Sequence, residues 1–153
     1  MRSVADPQAG YRGRLTCAQV DAAVTAVRRA AAEAGVHVTT AVVDEAAVLR
    51  AFHRMDGASL ISVELSLGKA RTASSTGRAT HQWADLLRDD NDLRHQATTS
   101  IPGLVLFGGG LPIKDHTGAL IGGLGVSGAR QDQDLQLAKA GLEAIELRER
   151  SNV

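Results

Sequence analysis

Few side chains of this sequence could carry chemistry, and they lie far apart along the chain. The histidines are His37, His53, His81, His95 and His116, and there is one cysteine, Cys17. No pair of histidines has the spacing and neighbouring glutamate of a zinc-protease helix, and one cysteine supplies neither a thiolate cluster nor an internal disulfide. His53 is the strongest candidate, because a neutral imidazole on a strand could ligate iron or move a proton. The alternative is a half-buried strand histidine without chemistry.

Lys69 is the second candidate. It stands among apolar and small residues of a predicted helix, where its ammonium group could be partly buried and pair with a ligand carboxylate. The alternative is an ion pair with Asp56 or Asp44 that fixes the helix on a sheet. Arg71 stands two residues further along the same helix and therefore points in another direction.

The segment 107–112, from Phe107 to Pro112, is the third candidate. Gly108, Gly109 and Gly110 allow backbone conformations closed to other residues and let a ligand approach their amides, which could hold a carboxylate or an oxyanion. A tight strand connection is the alternative. The segment is not a phosphate loop, because no lysine followed by a hydroxyl residue comes after the glycines. The glycines of 122–125 lie in a predicted strand, which excludes a dinucleotide-binding turn.

Periodicity and turn residues predict the elements that position these groups. Helices are predicted over 16–34, 59–75, 80–89 and 131–150, and strands over 36–43, 48–55, 104–107, 111–114 and 119–126. Thr16 and Gln19 have the spacing of a capping box at the start of the first helix. This order predicts an α+β fold, with a five-stranded antiparallel sheet and helices packed on it.

Length and charge limit the class of protein. The chain has 153 residues, which suits one domain, and we predict a flexible tail over 1–14 followed by a single domain over 15–150. Basic and acidic residues number 17 each, so no basic surface is expected for nucleic acid or anionic lipid. Pro102 and the three glycines interrupt the longest uncharged stretch, so a membrane-spanning helix is not expected. Without an apolar run near Met1 we expect a cytoplasmic protein.

Small residues are abundant in this chain. It has 16 glycines, and its aromatic residues are Tyr11, Phe52, Trp83 and Phe107. Small side chains must therefore fill much of the core, and self-association would bury additional apolar surface. We expect a homo-oligomer.

Several short segments occur together in the order found in one protein family. They are Val42-Val43-Asp44, Arg54-Met55-Asp56-Gly57-Ala58, Lys69-Ala70-Arg71-Thr72-Ala73, Phe107-Gly108-Gly109-Gly110-Leu111-Pro112, and the segment 121–128, followed by Gln133-Asp134. Together they resemble the GlcG/HbpS family, which includes the carboxy-terminal domain of PduO-type proteins. Where relatives carry glycines after Asp44, this chain has Glu45, Ala46 and Ala47, so its hairpin turn must differ.

The resemblance implies a profilin-like fold, homo-oligomeric assembly and, for several members, haem binding associated with haem degradation or redox sensing. We therefore predict a binding module for haem or a related tetrapyrrole. Its predicted ligand-binding residues are His53, Lys69, Phe107, Gly108, Gly109, Gly110 and Pro112, with His53 as the candidate iron ligand. Two alternatives stay open. One is a small enzyme or accessory protein that acts on an organic acid, and the other is an oligomeric scaffold without chemistry.

Overall fold

The computed structural model describes residues 14–151. The predicted tail over 1–14 lies outside these residues, apart from Arg14. The helices are α1 (Cys17–Glu33), α2 (Ile61–Thr76), α3 (Trp83–Asp89), α4 (Asn91–Ser100) and α5 (Gln131–Arg150), with a 3-10 turn at Thr80–Gln82. The strands are β1 (Thr39–Asp44), β2 (Leu49–Arg54), β3 (Gly110–Lys114) and β4 (Leu120–Ser127).

Local signals set the ends of several helices. The Thr16 hydroxyl accepts the amide of Gln19 at 3.2 Å, and Gln19 Oε1 accepts the amide of Thr16 at 2.9 Å, which confirms the predicted capping box. Gly77 ends α2 in the left-handed region, with φ of 66°. Helix α4 was not predicted, because residues 89–92 resemble a polar break. The Asp90 carboxylate accepts the amide of Leu93 and so begins a new helix there.

The strands of the described region form one antiparallel sheet in the order β2-β1-β4-β3. The α+β prediction is confirmed, but the predicted count of five strands is wrong. Residues 104–107 are the missing strand. They lie across α2 rather than beside another strand, and the amide of Val105 donates to the Thr72 hydroxyl at 3.0 Å. Because this amide bonds to a helix side chain, it is not available to a sheet.

The two faces of the sheet are covered by different helices. Helix α2 packs on one face, where Ala70 meets Ala41 and Val43 of β1. Helices α1 and α5 pack on the other face, against residues such as Val42 and Leu124. Since side chains alternate along a strand, each strand residue belongs to one of these two layers.

Glycines let α2 approach the central strand closely. A Cβ atom at Gly123 or Gly125 would overlap the backbone of α2, at the carbonyl oxygens of Ala70 and Ser66 respectively. On the opposite face, a Cβ atom at Gly141 of α5 would lie 2.8 Å from side-chain carbons of Leu124 and Val27. The abundance of glycine in the sequence therefore reflects close packing between elements.

The β1–β2 turn places an alanine in a backbone conformation that favours glycine. The Asp44 carboxylate accepts the amides of Ala46 at 2.9 Å and Val48 at 3.0 Å. Ala47 adopts the left-handed region with φ of 59°, the one non-glycine residue of the described region to do so. Such a conformation is strained for a residue with a Cβ atom, and the Asp44 side chain holds it.

Within residues 14–151, no helix has the length and apolar character needed to cross a membrane.

Candidate ligand-binding site

The side chain of Lys69 is fully buried in the middle of α2. Its Nζ donates to Asp134 Oδ2 at 2.8 Å and to the carbonyl of Val126 at 2.9 Å. Asp134 lies in the first turn of α5, and its Oδ1 accepts the amide of Ala129 at 3.0 Å. Lys69 thus forms the ion pair that the sequence left open as one of its roles, but its partner is Asp134 rather than Asp56 or Asp44.

Burial dominates the electrostatics of this pair. It lowers the pKa of Lys69 and raises the pKa of Asp134, because both charged groups lose solvation. The hydrogen bond and the attraction between the two groups oppose both shifts. The pair joins α2 to the end of β4 and the start of α5, and loss of either member would leave the other charge buried alone.

The glycine segment packs directly on Lys69. The Lys69 ammonium lies 5.0 Å from the centre of the Phe107 ring. A Cβ atom at Gly109, whose φ is 122°, would lie 2.8 Å from Lys69 Nζ, and one at Gly110 would lie 2.6 Å from the Lys69 carbonyl oxygen. Only glycine allows this approach. The ring of Phe107 covers the buried charge and remains 40% exposed on its outer side.

Two amides of the glycine segment already have partners within the chain. The amide of Gly108 donates to Gln131 Oε1 at 3.3 Å, and that of Gly110 donates to the Thr80 hydroxyl at 2.9 Å. All three glycines are buried. The three glycines therefore lie close to the protein's own backbone and side chains. This is the arrangement expected if the segment is a tight strand connection.

The structure separates His53 from the other predicted site residues. His53 pairs with Thr40 across β1 and β2, and residues directly opposite in a sheet share one face. Val42, two residues from Thr40, packs in the layer of α1 and α5. His53 is therefore half-buried on that face, whereas Lys69 and the glycine segment lie on the α2 side. Pro112 pairs with Gly123 and shares the α2 side with them.

The other histidines show no common site. His37 and His95 are exposed, and His116 Nδ1 contacts Glu149 Oε1 at 2.9 Å, which raises the pKa of His116. His81 is half-buried beside the Thr80 turn. Over the described part of the chain, no three His, Cys, Asp or Glu side chains gather as metal ligands.

A groove of about 430 Å³ lies between the outer side of α2 and the segment 101–105. Its wall is held in place by the bond from Val105 to Thr72 and by Gly68, where a Cβ atom would lie 2.7 Å from Val105 Cγ2. Leu67, Ile101 and Val105 contribute apolar surface, and the Ile101 side chain is 55% exposed at the rim.

Arg71 supplies positive charge to this groove. Its Nε donates to the carbonyl of Ala47 at 3.4 Å, so the left-handed turn residue described above lies against the guanidinium group. Within residues 14–151, Arg71 forms no ion pair, and its terminal nitrogens make no hydrogen bond. A guanidinium group in this state can form two parallel hydrogen bonds to a carboxylate.

The sequence matches the model of one protein family. The family model described as haem degrading protein HbpS-like matches residues 15–143. The chain belongs to this HbpS-like family. A 15.0 kDa protein from the dhaT-dhaS intergenic region of Citrobacter freundii is 36% identical over 131 residues, covering 86% of this chain and 92% of that protein.

Two solved structures of the HbpS-like type are also similar. The PduOC–heme complex is 31% identical, with a TM-score of 0.80 over 86% of this chain and 94% of that one. HbpS itself is 36% identical, with a TM-score of 0.76 over 85% of this chain and 89% of that one. The predicted family is therefore confirmed.

Three contributors to the site were not predicted from the sequence. Asp134 belongs to the segments that carry the family resemblance. Its predicted position at the start of a helix did not indicate a contact with Lys69. Thr80 was predicted only as the first residue of the helix over 80–89. Arg71 was noted only for pointing away from Lys69, and that direction leads into the groove.

Proposed function

We propose that this HbpS-like protein binds a small anionic ligand with a large apolar part, and that haem or a related tetrapyrrole is this ligand. Membership of the family and similarity to a protein crystallised as a heme complex support the proposal. The observation in this chain that carries it is the groove on α2. Its volume of about 430 Å³ lies in the range of ligand pockets.

The residues of the groove fit two parts of a tetrapyrrole. Leu67, Val105 and Ile101 suit an apolar ring, and Arg71 suits a propionate carboxylate. Iron needs an axial ligand, commonly His, Cys, Met or Tyr. None of these residue types is found among the described residues that line the groove. The groove therefore suits the ring and, at Arg71, a carboxylate, and it offers the iron none of these common axial ligands; Glu64 supplies the carboxylate of its lining.

Lys69 and the glycine segment would support the groove without lining it. The Lys69–Asp134 pair holds α2 and the glycine segment together, and that segment continues directly from the groove wall at 101–105. In this proposal Lys69 is a positioning residue, since its ammonium group is buried and already paired. Bound haem would supply iron-centred redox chemistry, while Arg71 orients a carboxylate and the apolar wall excludes water from one side of the ring.

Addition of haem to the purified protein should produce a Soret band that elutes with the protein on gel filtration. His53→Ala should leave the position of that band unchanged, because His53 lies on the sheet face opposite α2. Absorbance spectroscopy of the wild type and the variant provides the measurement. Loss of the band on gel filtration of the wild type would contradict haem binding. A band shifted by His53→Ala would instead place the iron beside β2.

Self-association is part of the same proposal. A group of exposed apolar side chains lies on β2 and at the start of α2, including Leu49 at 44%, Phe52 at 39% and Ile61 at 64% exposure. Phe52 pairs with Ala41, so it lies on the α2 side of the sheet. A second copy that covered these side chains would remove them from water.

Sedimentation velocity at micromolar concentration should therefore show a species heavier than a monomer. Ile61→Glu should shift the population toward the monomer, because association would bury an unpaired charge. Leu147→Glu is the matched control, since Leu147 is 55% exposed on α5, away from this group. A wild-type protein that sediments only as a monomer would contradict self-association.

A further inference from the structure

We infer that the α2 groove recognises the carboxylate and the apolar body of its ligand and not the metal, so that a metal-free porphyrin binds as well as haem does. This inference rests on the proposed function and specifies what that site selects. It depends on three observations: the position of Arg71, the composition of the groove wall, and the absence of histidines among the described residues that line the groove.

Arg71 lies in the groove with its terminal nitrogens free of hydrogen bonds to the described residues. Its Nε donates to the Ala47 carbonyl at 3.4 Å, which leaves those terminal nitrogens for a ligand. The Ala47 conformation that presents this carbonyl is strained, and strained residues are found where surrounding structure and function require them. Ser75 lies one helical turn beyond Arg71 on the same wall and adds a hydroxyl.

Apart from Arg71, the groove wall is largely apolar, and Glu64 is the acidic residue among the described residues that line it. Val105 is buried, and its amide is tied to Thr72, while Gly68 allows the segment 101–105 to pack closely on the helix. Leu67 and Ile101 extend this apolar surface to the rim. Transfer of a flat aromatic ring from water to this surface lowers the free energy, whether or not the centre of the ring holds a metal.

The half-buried histidines are not part of the groove. His53 faces the α1 and α5 layer, and His81 follows Thr80 beside the glycine segment; neither lines the groove. An iron atom within the groove therefore meets no imidazole from the described residues, so its removal from the ring breaks no histidine–metal bond there.

The test compares haem with protoporphyrin IX, using absorbance for the first and fluorescence for the second. We expect the dissociation constants of the wild type for the two compounds to agree within about threefold. Arg71→Ala should weaken both by about tenfold or more, the scale of a charge-assisted hydrogen bond. Arg28→Ala is the matched control, because Arg28 is an exposed arginine of α1 on the other side of the molecule. It should bind both compounds as the wild type does.

The outcomes separate the inference from the proposed function. Tight binding of haem with little binding of protoporphyrin would overturn the inference and leave haem binding standing. Equal binding by Arg71→Ala and Arg28→Ala would also overturn it, because the groove would then not be the site. A protein that binds neither compound would contradict the proposed function itself. Circular dichroism of each variant establishes that it is folded.

Discussion

Lys69→Ala should lower the free energy of unfolding by about 3–5 kcal/mol, the usual loss when one member of a buried ion pair is removed. The variant leaves the Asp134 carboxylate 2% exposed and without its cation. It also leaves the carbonyl of Val126 without its donor and opens a cavity under Phe107. Urea denaturation followed by circular dichroism would measure the loss.

A double-mutant cycle distinguishes the lost partner from the lost packing. Lys69→Met retains most of the volume, and Asp134→Asn retains an oxygen for the amide of Ala129. Each single change leaves one charge buried alone, whereas the double variant leaves none. Since burial dominates the pKa shifts of both groups, we expect the double variant to be more stable than either single variant. Additive losses would show that the two charges do not interact.

Gly125→Ala should lower the free energy of unfolding by about 3 kcal/mol, near the upper end of the range for overpacking. The new methyl group would overlap the carbonyl oxygen of Ser66 and lie 2.6 Å from the amide nitrogen of Ala70. Both atoms belong to the backbone of α2, so neither can rotate away and the helix must move from β4. Thermal and urea denaturation would measure the effect.

Gly118→Ala is the control for this substitution. Gly118 has φ of 84°, and a Cβ atom there would have no neighbour within 4 Å, so alanine suffers only backbone strain, about 1–2 kcal/mol. Gly125 has no such backbone conformation, and its loss comes from crowding alone. A smaller loss at Gly125 than at Gly118 would contradict the close contact between α2 and β4.

Local signals made much of the fold predictable. The capping box at Thr16, the stop at Gly77 and the spacing of apolar residues in α5 each act within a few residues of sequence. The segment 104–107 was predicted wrongly for a physical reason. A short apolar run has the same pattern whether it pairs with a strand or lies on a helix, and the bond from Val105 to Thr72 decides between them.

The site was less predictable, because its contacts join distant parts of the chain. A buried lysine requires a carboxylate, but nothing local selects Asp134, 65 residues further along. The face on which His53 lies depends on the register between β1 and β2, and a shift of one residue would reverse it. Arg71 lines the groove only because the segment 101–105 packs on α2 and forms the opposite wall.

The strand order also has a consequence for how the chain folds. Strand β1 meets β2 through a short turn, but its other neighbour is β4, which pairs Asp44 with Gly122 and Thr39 with Ser127. Contacts between such distant residues form slowly, because the entropy of closing the intervening loop is lost before the pairing is gained. During synthesis, α1, the β1–β2 hairpin and α2 leave the ribosome before β4 does. Their apolar faces therefore stay partly uncovered until β4 is made, and the layer that contains α1 is completed only when α5 follows.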